Sequence, residues 1–134
     1  MNLRTFIVED DELFATLHSL QVKKSGLSEQ PEIYRHGLAA VKAIEAAEGN
    51  DDNFLLLLDI NMPIMNAWEL LDHIQGTAYQ HKVIVVMVSS SINETDRRKA
   101  LGYPQVAEFI QKPFRAEDCQ TLMALPRLLP FFNN

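Results

Sequence analysis

The sequence predicts a single α/β domain of three layers, a parallel five-stranded sheet in the order 2-1-3-4-5 with helices on both faces. Two observations carry this. Strand and helix signals alternate from end to end with no linker or repeat between them, which implies right-handed βαβ crossovers. Phe54–Leu58 and Val83–Val88 are also short, continuous apolar runs bounded by turn residues, the pattern of strands buried on both faces. At 134 residues the chain has the size of one domain and can bury roughly two-thirds of its unfolded surface.

Each element has its own signal. Thr5 to Val8 is an apolar, β-favouring run, followed by a helix with Leu13, Phe14, Leu17 and Leu20 on one face and Gly26 near its end. Glu32 to His36 is a weaker strand, placed toward an edge. Leu38, Val41, Ile44 and Ala47 repeat at helical spacing, and Gly49 and Asn50 close that helix. Phe54 to Leu58 is the central strand. Asn66 to Ile74 is a short helix with Leu70, Leu71 and Ile74 inward, an Asn at its start and Gly76 beyond its end. Val83 to Val88 is the second long buried strand, and Asn93 to Leu101 a mostly polar helix ending at Gly102. A short strand, Ala107 to Ile110, and a helix from Ala116 to Leu125, stopped by Pro126, complete the pattern. The domain is read as residues 1–125, with 126–134 as a short apolar tail.

Composition narrows the function classes. Twelve basic against 18 acidic residues give a net charge of −6, with no basic run, so neither a nucleic-acid backbone nor an anionic membrane surface is an expected partner. No apolar stretch approaches a bilayer span, and Met1 to Arg4 leads straight into a strand without a signal-peptide pattern. The single Cys119 excludes an internal disulfide and agrees with a reducing, cytoplasmic setting. His18, His36, His73 and His81 lack metal-ligand spacing and are read as surface or boundary residues. No Gly-rich phosphate loop follows the first strand, which argues against nucleotide binding.

All strands of a parallel sheet end on one edge, and open α/β sheets bind ligands there. Here the first strand ends in Glu9-Asp10-Asp11, the third in Asp59, the fourth in Ser89-Ser90-Ser91 and the fifth in Gln111-Lys112-Pro113. Taken singly, Asp59 reads as a turn or cap, the acids as a helix N-terminus, the serines as a polar loop and Lys112 as a solvated charge. Together they put carboxylates, hydroxyls and one lysine at a common rim. Like charges about 4 Å apart repel by about 4 kcal/mol at an effective dielectric of 20, so a compensating cation is required. Lys112 supplies one, and a divalent ion on oxygen ligands, Mg²⁺, would supply the rest. Asp59 on a rigid strand end is a candidate nucleophile toward phosphorus, with the ion on Glu9 or Asp10 together with Asp59. Lys112 and the Ser89 hydroxyl would take further phosphoryl oxygens.

Four segments in order resemble the response-regulator receiver family, similar to its stand-alone chemotaxis type, over nearly the whole chain. They are Phe6 to Asp11, Leu58-Asp59-Ile60-Asn61-Met62-Pro63-Ile64-Met65-Asn66, Val86 to Ser90, and Phe109-Ile110-Gln111-Lys112-Pro113-Phe114. The resemblance implies a flavodoxin-like (βα)5 fold and a two-component or phosphorelay switch. Asp59 would be the phosphoacceptor, charged from a phosphohistidine on a sensor histidine kinase or histidine phosphotransfer protein. Asp10 would ligate Mg²⁺ directly, Glu9 through water, and Asn61 through its backbone carbonyl. Ser89 falls on the switch hydroxyl, Lys112 on the family lysine, and Phe109 on the aromatic that changes rotamer. Phe109 has no phenol oxygen, so it would report by packing alone. Asn61 and Ser91 flank the site and are expected to modulate dephosphorylation. The output would be altered binding to a downstream protein.

The chain departs from the family pattern at Ala67, where glycine is usual. Either Asn66 caps an ordinary helix start, or the turn is strained by about 1 kcal/mol. The tail Arg127-Leu128-Leu129-Pro130-Phe131-Phe132 either packs onto the last helix or offers a docking or self-association surface. Two other functions compete with the switch. A hydrolase turning over an aspartyl phosphate would need an acid two residues beyond the nucleophile, where Asn61 cannot transfer a proton. A degenerate receiver acting only as a binding module would be expected to lack Asp59 or Lys112, and both are present.

Overall fold

The structure, a computed structural model, describes residues 2–90 and 93–132. Its strands are β1 (Asn2–Val8), β2 (Glu32–Tyr34), β3 (Asp52–Asp59), β4 (Val83–Ser89) and β5 (Val106–Gln111). Its helices are α1 (Glu12–Ser25), α2 (Gly37–Ala46), α3 (Ala67–Ile74), α4 (Glu94–Leu101), α5 (Ala116–Met123) and the single turn α6 (Leu129–Phe132). All strand pairs are parallel and the order is β2-β1-β3-β4-β5, as the alternation predicts. The leucine run occupies the middle strand.

Alternation along β3 and β4 divides the core in two. Phe6, Val8, Leu56, Leu58, Val85 and Met87 face Val41 and Ile44 of α2 and Leu70, Leu71 and Ile74 of α3. Ile7, Leu55, Leu57, Val86 and Val88 face Val22 of α1 and Cys119 and Leu122 of α5. Leu55 through Leu58 are each 2% exposed or less. At about 2 kcal/mol for each buried leucine, this strand is the firmest platform in the molecule.

The packing face of α1 differs from the one its leucines suggest. Leu13, Leu17 and Leu20 are 66%, 39% and 50% exposed, while Ala15, His18, Ser19 and Val22 are buried. The side of α1 that packs is thus mixed, and the leucines point away. His18, read from sequence as a surface or boundary residue, is buried. The last long helix also ends sooner than expected, at Met123.

The loop after β3 is fixed by backbone bonds. Met65 N–H donates to the Pro63 carbonyl at 2.8 Å, closing a tight turn on Ile64, whose φ is 69°. Gly37 N–H donates to the Met65 carbonyl at 3.1 Å, and a Cβ on Gly37 would stand 2.7 Å from that oxygen, so only glycine lets α2 start this close. Asn66 caps α3: its side chain accepts from Glu69 N–H at 2.9 Å, and Glu69 returns the bond to Asn66 N–H at 3.1 Å. Ala67 is thus the first residue of an ordinary helix and carries no positive φ, which decides between the two alternatives for this position. The strain sits instead at Ile64, a β-branched residue 70% exposed. Ile64→Asn is expected to stabilise the fold by about 1 kcal/mol, because asparagine tolerates the left-handed region. A denaturation midpoint unchanged or lowered in that variant would contradict this.

Candidate functional site

The ends of β1, β3 and β5 bring Glu9, Asp10, Asp59 and Lys112 together. Val8 pairs with Leu58, which puts the acids after β1 beside Asp59. Glu9 and Asp59 are buried and Asp10 is exposed at the rim, and each offers a carboxylate oxygen within 4.8 Å of the others. Lys112 reaches in from the end of β5. Its Nζ lies 2.6 Å from Glu9 Oε1 and 3.0 Å from Asp59 Oδ1, with the side chain only 7% exposed. The second Glu9 oxygen accepts from Asp11 N–H at 3.1 Å. Asp11 itself turns away to cap α1, accepting from Phe14 N–H at 3.1 Å.

Burial dominates the electrostatics. It pushes the Glu9 carboxyl up to about 7; the neighbouring Asp59 charge adds to the rise, and Lys112 and Asp11 N–H oppose it. Burial also raises Asp59, against the pull of Lys112. Burial alone would lower Lys112, but its bonds to Glu9 and Asp59 prevail and hold it as an ammonium ion. The site thus concentrates negative charge that one lysine only partly offsets. Its donors are hard carboxylate oxygens with no histidine or thiol, which fits a cation such as Mg²⁺.

The other residues singled out from sequence fall around this cluster. Ser89 ends β4 and is 6% exposed, and its carbonyl accepts from Lys112 N–H at 2.7 Å. Asn61 is exposed in the loop after Asp59. Phe109 lies on β5 beside Met87 of β4, part-buried against the first core layer. Ser91 lies outside the described residues. Two residues beside the site were not singled out as part of it: Phe14, whose ring centroid is 4.5 Å from Lys112 Nζ, and His18, which accepts from Phe114 N–H at 3.3 Å. Phe14 sits one helical turn before His18, and that spacing is the only sequence signal linking them. Among the described residues no helix is long and apolar enough to cross a membrane.

Comparison with known proteins agrees with this geometry. The family model described as the response regulator receiver domain matches residues 5–124. The hybrid signal transduction histidine kinase G of Dictyostelium discoideum is 27% identical over 119 residues, covering 87% of this chain and 3% of that protein. The chain therefore spans a small fraction of that relative's length. The probable methanogenesis regulatory protein FilR2 of Methanothrix harundinacea is 27% identical over 114 residues, 84% of this chain and 73% of that protein. Among solved structures, a two-component response regulator from Cytophaga hutchinsonii superimposes with a TM-score of 0.83 at 26% identity, covering 96% of this chain and 98% of the other. The phosphorylated cyanobacterial phytochrome response regulator RcpA gives a TM-score of 0.70 at 25% identity, covering 91% and 89%. With the order 2-1-3-4-5, this flavodoxin-like domain belongs to the response regulator receiver family.

Proposed function

We propose that this receiver accepts a phosphoryl group on Asp59 from a phosphohistidine donor and thereby changes its affinity for a downstream protein. The observation that carries this reading is the Lys112 ammonium bridging Asp59 and Glu9 inside a cluster of three carboxylates. The phosphorylated state of the similar RcpA structure supports it. In the transfer, an Asp59 oxygen attacks phosphorus, the bond from phosphorus to the donor imidazole nitrogen breaks, and the imidazole leaves as a neutral ring after taking up a proton. The Asp59 carboxylate becomes an acyl phosphate. Lys112 needs only to exchange its bond with the Asp59 oxygen for one with a phosphoryl oxygen. Asp10 and Asp59 would hold Mg²⁺, with Glu9 acting through water and the Asn61 carbonyl completing the set. When bound, the ion offsets the charge of the phosphoryl oxygens.

The Ser89 hydroxyl, at the end of β4, would turn toward a new phosphoryl group, and Phe109, on the neighbouring strand, would follow by repacking. The polar α4, β5 and α5 would then form the output face. The Asn61 amide cannot serve as a general acid, which argues against turnover of the acyl phosphate as in a hydrolase. Bulky or charged groups at Asn61 and Ser91 should change its lifetime without preventing its formation. The buried free thiol of Cys119 supports a cytoplasmic setting.

Acetyl phosphate with Mg²⁺ tests the reading. Gain of one phosphate per chain, dependent on Mg²⁺ and absent in Asp59→Asn, is the expected result. Many turnovers per chain would instead indicate a hydrolase, and no modification would leave a binding module.

The exposed leucines of α1 supply a place for the donor protein. Leu13, Leu17 and Leu20 recur at i, i+4 and i+7, and Leu13 lies in the first turn beyond Asp10. An apolar stripe of this kind fits the apolar face of a partner helix. Leu17→Asp is expected to slow transfer from a protein phosphodonor by about tenfold or more, the effect of losing a central contact. Labelling by acetyl phosphate should stay unchanged. Equal slowing of both reactions would count against docking on this face.

A further inference from the structure

His18 is the buried titratable group that the phosphoryl chemistry leaves unused. It is 2% exposed, on the face of α1 that meets the segment Lys112-Pro113-Phe114. Proline has no N–H, so this segment carries two main-chain donors. Lys112 N–H donates to the Ser89 carbonyl at 2.7 Å, and Phe114 N–H donates to His18 Nε2 at 3.3 Å. The segment is thereby pinned to the end of β4 on one side and to α1 on the other.

Phe114 is 1% exposed, so its N–H cannot turn to water. The acceptor that α1 offers it is the His18 ring nitrogen. An imidazole accepting at Nε2 carries its proton on Nδ1 and is neutral, since an imidazolium has no lone pair to offer. Burial, with the Lys112 charge adding to it, lowers the His18 pKa to about 4 and keeps the ring in that form. The Phe14 ring packs at 5.7 Å from the His18 ring and 4.5 Å from Lys112 Nζ, so one turn of α1 braces both the backbone and the ammonium of the same segment.

We propose that His18 is a positioning residue for Lys112: by accepting the Phe114 N–H it fixes the Lys112–Phe114 segment against α1 and holds the ammonium over Asp59. The kinetic part of this inference rests on Asp59 being the phosphoacceptor; the structural part does not.

The test compares His18→Leu, which has no acceptor, with His18→Gln, whose terminal amide oxygen reaches where Nε2 stands. Both are compared with wild type for the rate of labelling by acetyl phosphate and for the NMR signals of the Lys112 ammonium and the Phe114 amide. His18→Leu is expected to slow labelling by about tenfold or more, the scale of effect of a mispositioned group in a pre-organised site. It should also shift or broaden both signals, and His18→Gln should restore rate and signals together. Should the leucine variant not fold, His18→Asn, too short to reach Phe114, takes its place. A folded His18→Leu or His18→Asn with wild-type rate and unmoved Lys112 signals overturns the proposal. If wild type itself takes up no phosphate, the phosphoacceptor reading fails. The positioning role is then judged by the NMR signals alone: movement restored by glutamine supports it, and no movement overturns it.

Discussion

Lys112→Met is expected to cost the metal-free protein about 3 kcal/mol at neutral pH, because it leaves two buried carboxylates without their counter-charge. Methionine preserves most of the apolar stem, so the loss is electrostatic rather than a cavity. The pH dependence identifies the cause. Even beside Lys112, Glu9 is raised from 4.5 to about 7 and Asp59 is also raised. A carboxyl whose folded pKa lies above its unfolded one binds protons better when folded. Its contribution therefore favours folding at low pH and is lost as pH rises through that window. Without the ammonium ion both carboxyls move further up, and the variant's deficit relative to wild type grows with pH. Urea unfolding of both proteins in chelator at about pH 5 and about pH 8 should give a small difference at the lower pH and the full one at the higher. A deficit equal at both would show that Lys112 acts by packing and not by charge.

Leu128→Ala is expected to cost about 3 kcal/mol, the usual price of emptying a fully buried leucine site. Leu128 is 0% exposed and lies in the second core layer, packed among residues of β3, β4 and α5, although it follows Pro126. Arg127 adds a bond from its guanidinium to the Pro104 carbonyl at 2.9 Å. We therefore propose that the tail is part of the folded unit and acts as a plug on the α1/α5 side of the sheet. The neighbouring Leu129 is 42% exposed, and Leu129→Ala should change stability by about 0.5 kcal/mol or less. Thermal or urea unfolding of the two variants side by side separates a plug from an unpacked tail. Equal, small effects would contradict the plug.

The parts of the fold that sequence revealed are those whose burial is written locally. Leu55 to Leu58 and Val83 to Val88 are apolar on every residue because both faces are covered, and no other arrangement suits them. The rim cluster was legible for a related reason: parallel strands must end on one edge, so the residues that follow them, Glu9, Asp10, Asp59 and Lys112, meet there. The orientation of α1 was not legible. Its leucines mark a helix, yet the side that packs is Ala15, His18, Ser19 and Val22. His18 was unreadable because its partner, Phe114 N–H, comes from 96 residues away. Leu128 could not be placed because it lies in the turn between α5 and the one-turn α6, where there is no periodicity to read.

The central claim is that Asp59 carries the phosphoryl group. Borohydride reduces an acyl phosphate to the alcohol, so treatment of the acetyl phosphate-labelled protein with tritiated borohydride converts the labelled aspartate to homoserine. Peptide mapping then locates it. The result expected is tritium in the peptide containing Leu58-Asp59-Ile60, with homoserine at position 59 and no label without Mg²⁺. Tritium at Asp10 or any other acid, or phosphate that survives on the protein without a reducible acyl linkage, would contradict the assignment.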